Sequence, residues 1–141
     1  MSTESNKALI RKYREIHNTD QLQELDNLLA KNFKPNALLP GMSANLETFK
    51  QIHQMSKASF PDLMIVTEDL IAEGDKVVER WVQTMTHSGA SFMNIPPSNN
   101  KIIVSGISIY RIADGKIAEH WGNMDMFAMM VQLGAIPMPS A

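Results

Sequence analysis

The first sixty residues place their apolar side chains at the three- and four-residue spacing of helices. The first predicted helix starts near Ser5 and is broken at residues 17–19. Its apolar face consists of Ala8, Leu9, Tyr13 and Ile16. Asp20 is a suitable N-cap for a second helix, whose apolar stripe is Leu22, Leu25, Leu28 and Leu29. Asn45 caps a third predicted helix that runs to about residue 59.

After residue 60 the apolar spacing changes to every second residue, which is the pattern of β-strands. Strands 63–72 and 76–87 form one predicted hairpin, and strands 101–112 and 117–123 form another. One face of the second strand carries Val77, Glu79, Trp81, Gln83, Met85 and His87. The other face carries Val78, Arg80, Val82, Thr84 and Thr86. A short helix, 125–133, follows and ends at Gly134.

These elements predict a single α+β domain over residues 1–141, a length that fits one domain. We expect three N-terminal helices packed on a curved antiparallel sheet of four long strands plus a short one. Strands of ten or more residues favour a strongly twisted sheet. Helices across its concave face would close the sheet into a cone-shaped barrel with an internal apolar pocket.

The composition of the chain excludes several classes of function. With 13 basic and 15 acidic residues, the chain has no surplus of positive charge to attract nucleic acid or anionic lipid. The absence of cysteine excludes disulfides and thiol catalysis. Neither a secretory signal nor a run of about 20 apolar residues is present, so we expect a cytoplasmic protein with no membrane contact. Eleven methionines are flexible side chains that either fill the core or line an adaptable ligand pocket.

The candidate chemistry is sparse, because no phosphate-binding loop, dinucleotide fingerprint, nucleophile elbow or zinc-protease motif occurs. The four histidines are scattered without metal-ligand spacing, so no metal is expected. His53, on an apolar helix face, is a core residue or a pocket acid, base or donor. His87 ends a strand beside a loop, where function often lies. Arg80 needs an ion pair or a wet cavity, and Asp125 is a helix cap or a general acid or base.

Several segments taken together resemble the SnoaL-like polyketide cyclases of the NTF2-like superfamily. Their order and spacing over the last eighty residues carry the resemblance. The segments are Phe60-Pro61-Asp62-Leu63, Glu73-Gly74-Asp75-Lys76-Val77-Val78, Arg80, Thr86-His87-Ser88-Gly89, Ile109-Tyr110-Arg111-Ile112, Asp114-Gly115-Lys116-Ile117, Glu119-His120-Trp121, Asp125 and Gln132-Leu133-Gly134. The chain departs from the family pattern at Met85, where glycine is usual, and at residues 98–100.

The resemblance implies one deep pocket per subunit and a homodimer formed through the sheets. Characterised members close a ring of an aromatic polyketide by intramolecular aldol condensation, without metal or cofactor. The catalytic aspartate of the family falls on Asp125. Arg80, His87 and Trp121 match positions that line or support the pocket. The substrate would be a hydrophobic carbonyl compound, and a dry pocket would raise the pKa of the Asp125 carboxyl.

Three hypotheses stay open at this stage. The first is a cofactor-free cyclase, isomerase or lyase with Asp125 and His87 as catalytic residues. Its candidate substrate-binding residues are His53, Arg80, Trp121 and Tyr13. The second is a non-catalytic module that binds an apolar ligand or another protein. The third is a hydrolase in which Asp125 and Arg80 activate water, which requires a pocket wet enough to hold that water.

Overall fold

A computed structural model describes residues 2–19, 21–36, 39–138 and 140 of the chain. The chain forms, in order, α1 (Thr3–His17), a 3-10 helix (Leu22–Asn27), β1 (Leu29–Pro35), α2 (Leu46–Ser59), β2 (Met64–Glu73), β3 (Lys76–Thr86), β4 (Lys101–Ala113), β5 (Lys116–Met124) and α3 (Met126–Leu133). The predicted α+β architecture is therefore confirmed. Within the described residues, no helix is both long and apolar enough to cross a membrane.

The five strands form one sheet in the order β1-β5-β4-β3-β2. The four long strands β2 to β5 pair antiparallel with their neighbours, and β1 is the short additional strand, parallel to β5. Two glycines in the left-handed region, Gly74 (φ 57°) and Gly115 (φ 75°), form the hairpin turns. Register shifts in β2 and between β4 and β5 mark bulges, which bend a sheet.

The second helix is shorter than the leucine spacing predicts. Leu29 does not extend it but begins β1, where it pairs with Ile117 of β5. The Ile117 N–H donates to the carbonyl of Leu28 at 2.8 Å, so sheet pairing overrides the helical pattern. Asp20, the expected N-cap, lies outside the described residues.

The other helix ends follow the sequence signals. The Asn45 side chain accepts a hydrogen bond from the Thr48 N–H at 2.9 Å and starts α2, as predicted. Gly134, with φ of 87°, ends α3. The Gln132 amide group both accepts from the N–H and donates to the carbonyl of Ile103, each at 2.8 Å. This side chain takes the place of a neighbouring strand and fixes α3 against the edge of β4.

Alternate strand residues face the helices or the outside of the sheet. The inner face of β3 carries the six side chains that the alternation groups together, each at most 6% exposed: Val77, Glu79, Trp81, Gln83, Met85 and His87. The outer face keeps several large apolar side chains exposed: Val66, Ile71, Ile103, Ile107 and Ile109. The core therefore lies between the inner face and the helices.

This core is divided into two apolar clusters. The first, beneath α1, contains Ile10, Tyr13, Ile16, Leu25, Leu29, Phe33, Val77, Tyr110, Ile112 and Ile117. The second, beneath α3, contains Phe60, Leu63, Ile65, Trp81, Met85, Ile102, Val104, Met129 and Leu133. Buried polar side chains at Arg14, His53, Glu79 and Ser108 form a layer on the inner face with contacts to both clusters. Buried polar groups of this kind require hydrogen-bond partners. The contacts of these side chains therefore identify the part of the core with a role beyond apolar packing.

Candidate functional site

Three histidines from three different elements lie in the polar layer: His17 and His53 are in contact, and His120 is connected to His17 through the rings of Tyr110 and Tyr13. His17 lies in the last turn of α1, His53 lies in α2, and His120 lies on the inner face of β5. His53 Nδ1 and His17 Nε2 are 3.0 Å apart, so one of these two nitrogens donates a hydrogen bond to the other. The His17 and His53 rings meet edge to face, with centroids 4.2 Å apart. We call these three residues, with Ser108 and Trp81, the interior histidine site.

The third histidine is tied to the sheet by a chain of hydrogen bonds. Trp81 Nε1 donates to Ser108 Oγ at 3.0 Å. Ser108 Oγ lies 3.1 Å from His120 Nε2. Trp81 and Ser108 are 6% and 3% exposed, so this chain is shielded from bulk water. Hydrogen bonds in such surroundings are electrostatically stronger than in water.

Aromatic rings enclose the interior histidine site. Tyr110 stacks on His120 with centroids 5.1 Å apart, and Phe49 approaches the same ring edge-on at 6.4 Å. Tyr13 lies 5.8 Å from the His17 ring and 5.6 Å from Tyr110. The sequence-predicted residues Tyr13 and His53 therefore lie together in this site. Its walls are apolar rings and its polar atoms are imidazole nitrogens and one hydroxyl.

Burial keeps His17 and His120 neutral. It lowers the pKa of His17 well below the ordinary value, and the nearby charge of Arg14 lowers it further. The pKa of His120 falls to about 4, again through burial first and the Arg14 charge second. Burial also raises the pKa of Tyr13 to about 12, so the phenol keeps its proton. The site therefore presents neutral imidazoles at pH 7.

A buried ion pair lies beside the interior histidine site. The Arg14 guanidinium donates to both carboxylate oxygens of Glu79, at 2.7 and 3.0 Å. The hydroxyls of Tyr110 and Thr67 also donate to Glu79, at 2.7 and 2.6 Å. Burial pushes the pKa of the Glu79 carboxyl up, but these donors and the Arg14 charge hold it below its ordinary value. This network locks α1 onto three strands and fixes a positive charge near the histidines.

Two glycines shape the sheet beneath the site. A Cβ on Gly106 would lie 2.2 Å from Trp81 Cζ2, so the glycine gives the indole its place. A Cβ on Gly122 would lie 3.1 Å from His120 Nε2 and 3.2 Å from Ser108 Oγ. Both positions therefore keep side-chain atoms away from the Trp81–Ser108–His120 chain.

Two ring nitrogens in the site have no assigned hydrogen bond. Among the described residues, neither His17 Nδ1 nor His120 Nδ1 has a hydrogen-bond partner, and both atoms are buried. Buried polar atoms of this kind are uncommon and call for an explanation. No group of three or more His, Asp or Glu side chains within the described ranges could hold a metal ion. Neutral imidazole nitrogens in apolar walls can instead exchange protons or hydrogen bonds with an organic ligand.

Comparison with known proteins assigns the family. A family model described as SnoaL-like polyketide cyclase matches residues 7–133. The chain belongs to the SnoaL-like polyketide cyclase family. No curated protein sequence matches it significantly.

Solved structures of SnoaL-like size share this fold over most of their length. TsrD from Streptomyces laurentii is 26% identical, with 96% of this chain and 99% of that chain covered and a TM-score of 0.86. IdmH from Streptomyces antibioticus, described as a candidate polyketide cyclase, is 29% identical over 92% of this chain and 98% of that chain, with a TM-score of 0.82. A candidate polyketide cyclase from Bacillus cereus is 26% identical over 96% and 87%, with a TM-score of 0.81.

Three of the predicted site residues lie on the outer face of the SnoaL-like sheet, away from the histidines. Arg80, Trp121 and Asp125 line one open depression of about 560 Å³ together with Ile107 and Ile109. Arg80 and Trp121 reach it from the outer faces of β3 and β5, and Asp125 follows the end of β5 as the N-cap of α3.

The charged groups of this depression have structural partners. Arg80 forms an exposed ion pair with Asp69, with 2.7 Å between Nη2 and Oδ2. Asp125 is exposed and caps α3 by accepting a hydrogen bond from the Ala128 N–H at 3.1 Å. The homodimer that the resemblance implies stays a prediction, and light scattering of the purified protein would test it.

The remaining candidate, His87, lies at the far end of β3 from the interior histidine site. It is fully buried, and its Nε2 lies 3.0 Å from the Ala90 carbonyl, to which it donates. Its ring packs on Phe60 with centroids 5.0 Å apart. In this SnoaL-like fold the side chain therefore ties the β3–β4 loop to the end of α2.

Sequence reasoning missed His17, His120, Ser108 and Trp81 as site residues. The strand alternation already placed His120 on the face opposite to Trp121, and Trp81 on the inner face of β3. The sequence analysis used residue 17 only to mark the end of the first helix. No local pattern relates His17 to His53, 36 residues later. The signal that could have found them is the set of polar residues at inner-face positions, where an apolar residue is the ordinary choice.

Proposed function

We propose that this SnoaL-like protein is a cofactor-independent enzyme that moves protons on a hydrophobic carbonyl compound, by aldol-type ring closure or a related isomerase or lyase step. The observation that supports it is the pair of buried, unpartnered imidazole nitrogens at His17 and His120. Abstraction of a proton beside a carbonyl requires a base and a donor for the developing oxyanion. Two neutral histidines connected through the rings of Tyr13 and Tyr110 are the candidates for these two tasks.

The surroundings of the histidines suit such a substrate. Tyr13, Phe49 and Tyr110 surround them with aromatic rings, the kind of side chain on which a planar apolar molecule packs. The Arg14 charge next to the site is already neutralised by Glu79, so an anionic substrate group gains little there. Holding a flexible chain with its reacting atoms together would contribute as much as the proton transfer itself. Acid–base help from a placed histidine is typically worth about 10²–10⁴-fold.

This proposal gives Asp125 a structural role. An exposed carboxylate that caps α3 lies in surroundings that do not separate its chemistry from water. His53, in contrast, is 6% exposed and is hydrogen-bonded to His17. We therefore assign proton transfer to the histidines and helix capping to Asp125.

The test compares two kinds of substitution with one assay. Purified protein is incubated with aromatic polyketide precursors and smaller β-diketones, and products are followed by mass spectrometry and by solvent deuterium incorporation. His120→Gln and His17→Gln should lower kcat about 10²–10⁴-fold with folding retained. Asp125→Ser, which keeps a capping oxygen, should leave kcat within a factor of two or three. Loss of activity in Asp125→Ser with both histidine variants active would assign catalysis to the aspartate instead.

The alternative is a non-catalytic module that binds an apolar ligand. The observation that favours it is the capping role of Asp125, which is what we expect if this carboxylate does no chemistry. Such a protein would bind aromatic carbonyl compounds by calorimetry, and His120→Gln would weaken binding. It would catalyse neither deuterium exchange nor ring closure with any compound it binds.

A further inference from the structure

The hydrogen-bond inventory around Ser108 fixes the direction of its proton. An indole N–H can only donate, so Trp81 Nε1 uses one lone pair of Ser108 Oγ. The hydroxyl proton must then find an acceptor within its own reach. His120 Nε2, at 3.1 Å, is the acceptor that the described hydrogen bonds offer it.

The nearby carboxylate of Glu79 does not compete for this proton. Its Cα position is directly opposite Ser108 in the β3–β4 register, but its two oxygens already accept four hydrogen bonds. Two of these come from the Arg14 guanidinium, one from Thr67 and one from Tyr110. The carboxylate is thus saturated by donors from α1, β2 and β4.

A proton donated to Nε2 decides the tautomer of a neutral imidazole. If His120 Nε2 accepts, the ring proton is on Nδ1, and that nitrogen becomes a donor. His120 Nδ1 is the buried atom without a partner. The unsatisfied group at this position is therefore an N–H pointing away from the sheet-bound edge of the ring, and a carbonyl oxygen would satisfy it.

We propose that Trp81 and Ser108 are positioning residues that fix His120 as its Nδ1–H tautomer, so that His120 donates a hydrogen bond to the carbonyl oxygen of the substrate. The catalytic half of this proposal rests on the proposed function, whereas the tautomer is a property of the free protein. His120 then stabilises the oxyanion that develops on this oxygen. Fixing the donor before substrate binds avoids reorganisation during the reaction.

The geometry of the neighbouring residues supports a fixed ring. Tyr110 stacks on His120 with an interplanar angle of 29°, and Phe49 closes a second side. Gly122 leaves the Nε2 edge uncovered by a side chain, because a Cβ there would lie 3.1 Å from that nitrogen. Tyr110, Phe49 and the contact with Ser108 hold the ring, and a flip by 180° would put a carbon in place of Nε2 opposite Ser108 Oγ. The nitrogen that faces Ser108 is therefore constant.

The primary experiment is an NMR measurement on the ligand-free wild-type protein labelled with ¹⁵N at histidine. Long-range ¹H–¹⁵N correlation spectra at pH 7.5 distinguish protonated from bare ring nitrogens. We expect His120 to show a proton on Nδ1 and none on Nε2. Detection of the Nε2–H form as the main species overturns the proposal, whatever the protein catalyses.

Two substitutions test the positioning residues. Ser108→Ala removes the donor and should shift His120 towards the Nε2–H form, which histidine favours when free. Trp81→Phe keeps an aromatic ring but loses the indole N–H, and should give a mixture of both forms. Ser105→Ala, an exposed serine on the outer face of the same strand, is the matched control and should leave the spectrum unchanged. An unchanged His120 tautomer in Ser108→Ala removes Ser108 from the proposal.

Kinetic measurements test whether the His120 tautomer matters for the reaction. With a turned-over substrate, Ser108→Ala should lower kcat about 10–100-fold while KM changes little, the effect typical of losing a group that orients an imidazole. Ser108→Thr, which restores a hydroxyl, should recover part of that loss and the Nδ1–H form. A wild-type protein with the Nδ1–H tautomer but no turnover would contradict the proposed function alone. An equal loss in Ser105→Ala would contradict the positioning role.

Discussion

At the scale of single residues, a glycine beneath the Trp81 indole has the largest effect on the geometry of the site. Gly106 faces the core at a strand position that would otherwise carry an apolar side chain, and the Trp81 indole occupies that volume. The indole occupies the space over this glycine, and its N–H donates to Ser108 from there. The position of one polar atom in the interior histidine site thus depends on a residue without a side chain.

Gly106→Ala should therefore destabilise the protein and disturb the site together. The new Cβ would lie 2.2 and 2.4 Å from two atoms of the indole, a contact that the fold must relieve by moving the ring. Overpacking of this kind costs about 1–3 kcal/mol. Urea unfolding followed by Trp fluorescence measures the loss, with Ser105→Ala as the strand-matched control. Equal midpoints for the two variants would show that the indole has room to move.

At the scale of elements, the buried Arg14–Glu79 pair fastens α1 to the sheet. The helix supplies the guanidinium, β3 the carboxylate, and β2 and β4 the two hydroxyls. Because burial removes water from both charges, the pair is stable only while both partners are present. The same contact holds His17, three residues after Arg14, opposite His53 of α2.

Removing one charge of this pair should cost more than removing both. Glu79→Gln leaves a buried, unpaired guanidinium and should lower the free energy of unfolding by about 3–5 kcal/mol. The double variant Arg14→Met/Glu79→Met should recover much of that loss, because it leaves no buried charge. Thr67→Val, which removes a single donor to Glu79, is the milder reference. Guanidinium titrations of the wild type and these three variants measure the differences, and a double variant less stable than Glu79→Gln would contradict this account.

At the scale of the whole molecule, the polar layer makes stability depend on pH. His17 and His120 stay neutral in the folded protein because their pKa values are lowered, the second to about 4. Once unfolded, both histidines take up protons near pH 6.5. The unfolded state therefore binds more protons than the folded state in the interval between, and stability rises with pH there.

The free energy of unfolding should thus be complete above about pH 7 and should fall as the pH drops from about 6.5 towards 4. Each histidine contributes at most about 1.4 kcal/mol per pH unit in this interval. Urea midpoints measured at pH 7.5, 6, 5 and 4.5 give the slope. His120→Gln should flatten it relative to the wild type. A midpoint that stays constant between pH 7 and 5 would mean that the histidines are protonated in the fold.

Strand alternation and helix-capping residues were sufficient to predict most of the fold. The alternation along β3 separated Glu79 and Trp81 from Arg80 correctly, and Asn45 and Gly134 marked helix ends. These predictions succeed because capping and strand alternation depend on residues a few positions apart. The prediction that the second helix extends to Leu29 was wrong for the opposite reason. Pairing with a strand almost ninety residues later decided the conformation of this residue.

The sequence by itself determined the α+β class, the family, most of the elements and the face on which each residue of β3 lies. Only the tertiary structure decided which polar residues meet. His17, His53 and His120 come from two helices and a strand, and nothing in their spacing encodes the 3.0 Å contact between the first two. Asp125, the most conspicuous carboxylate in the sequence, lies outside the enclosure because the chain turns into α3 there. Proton chemistry depends on distance and burial in space, and packing between distant segments sets both.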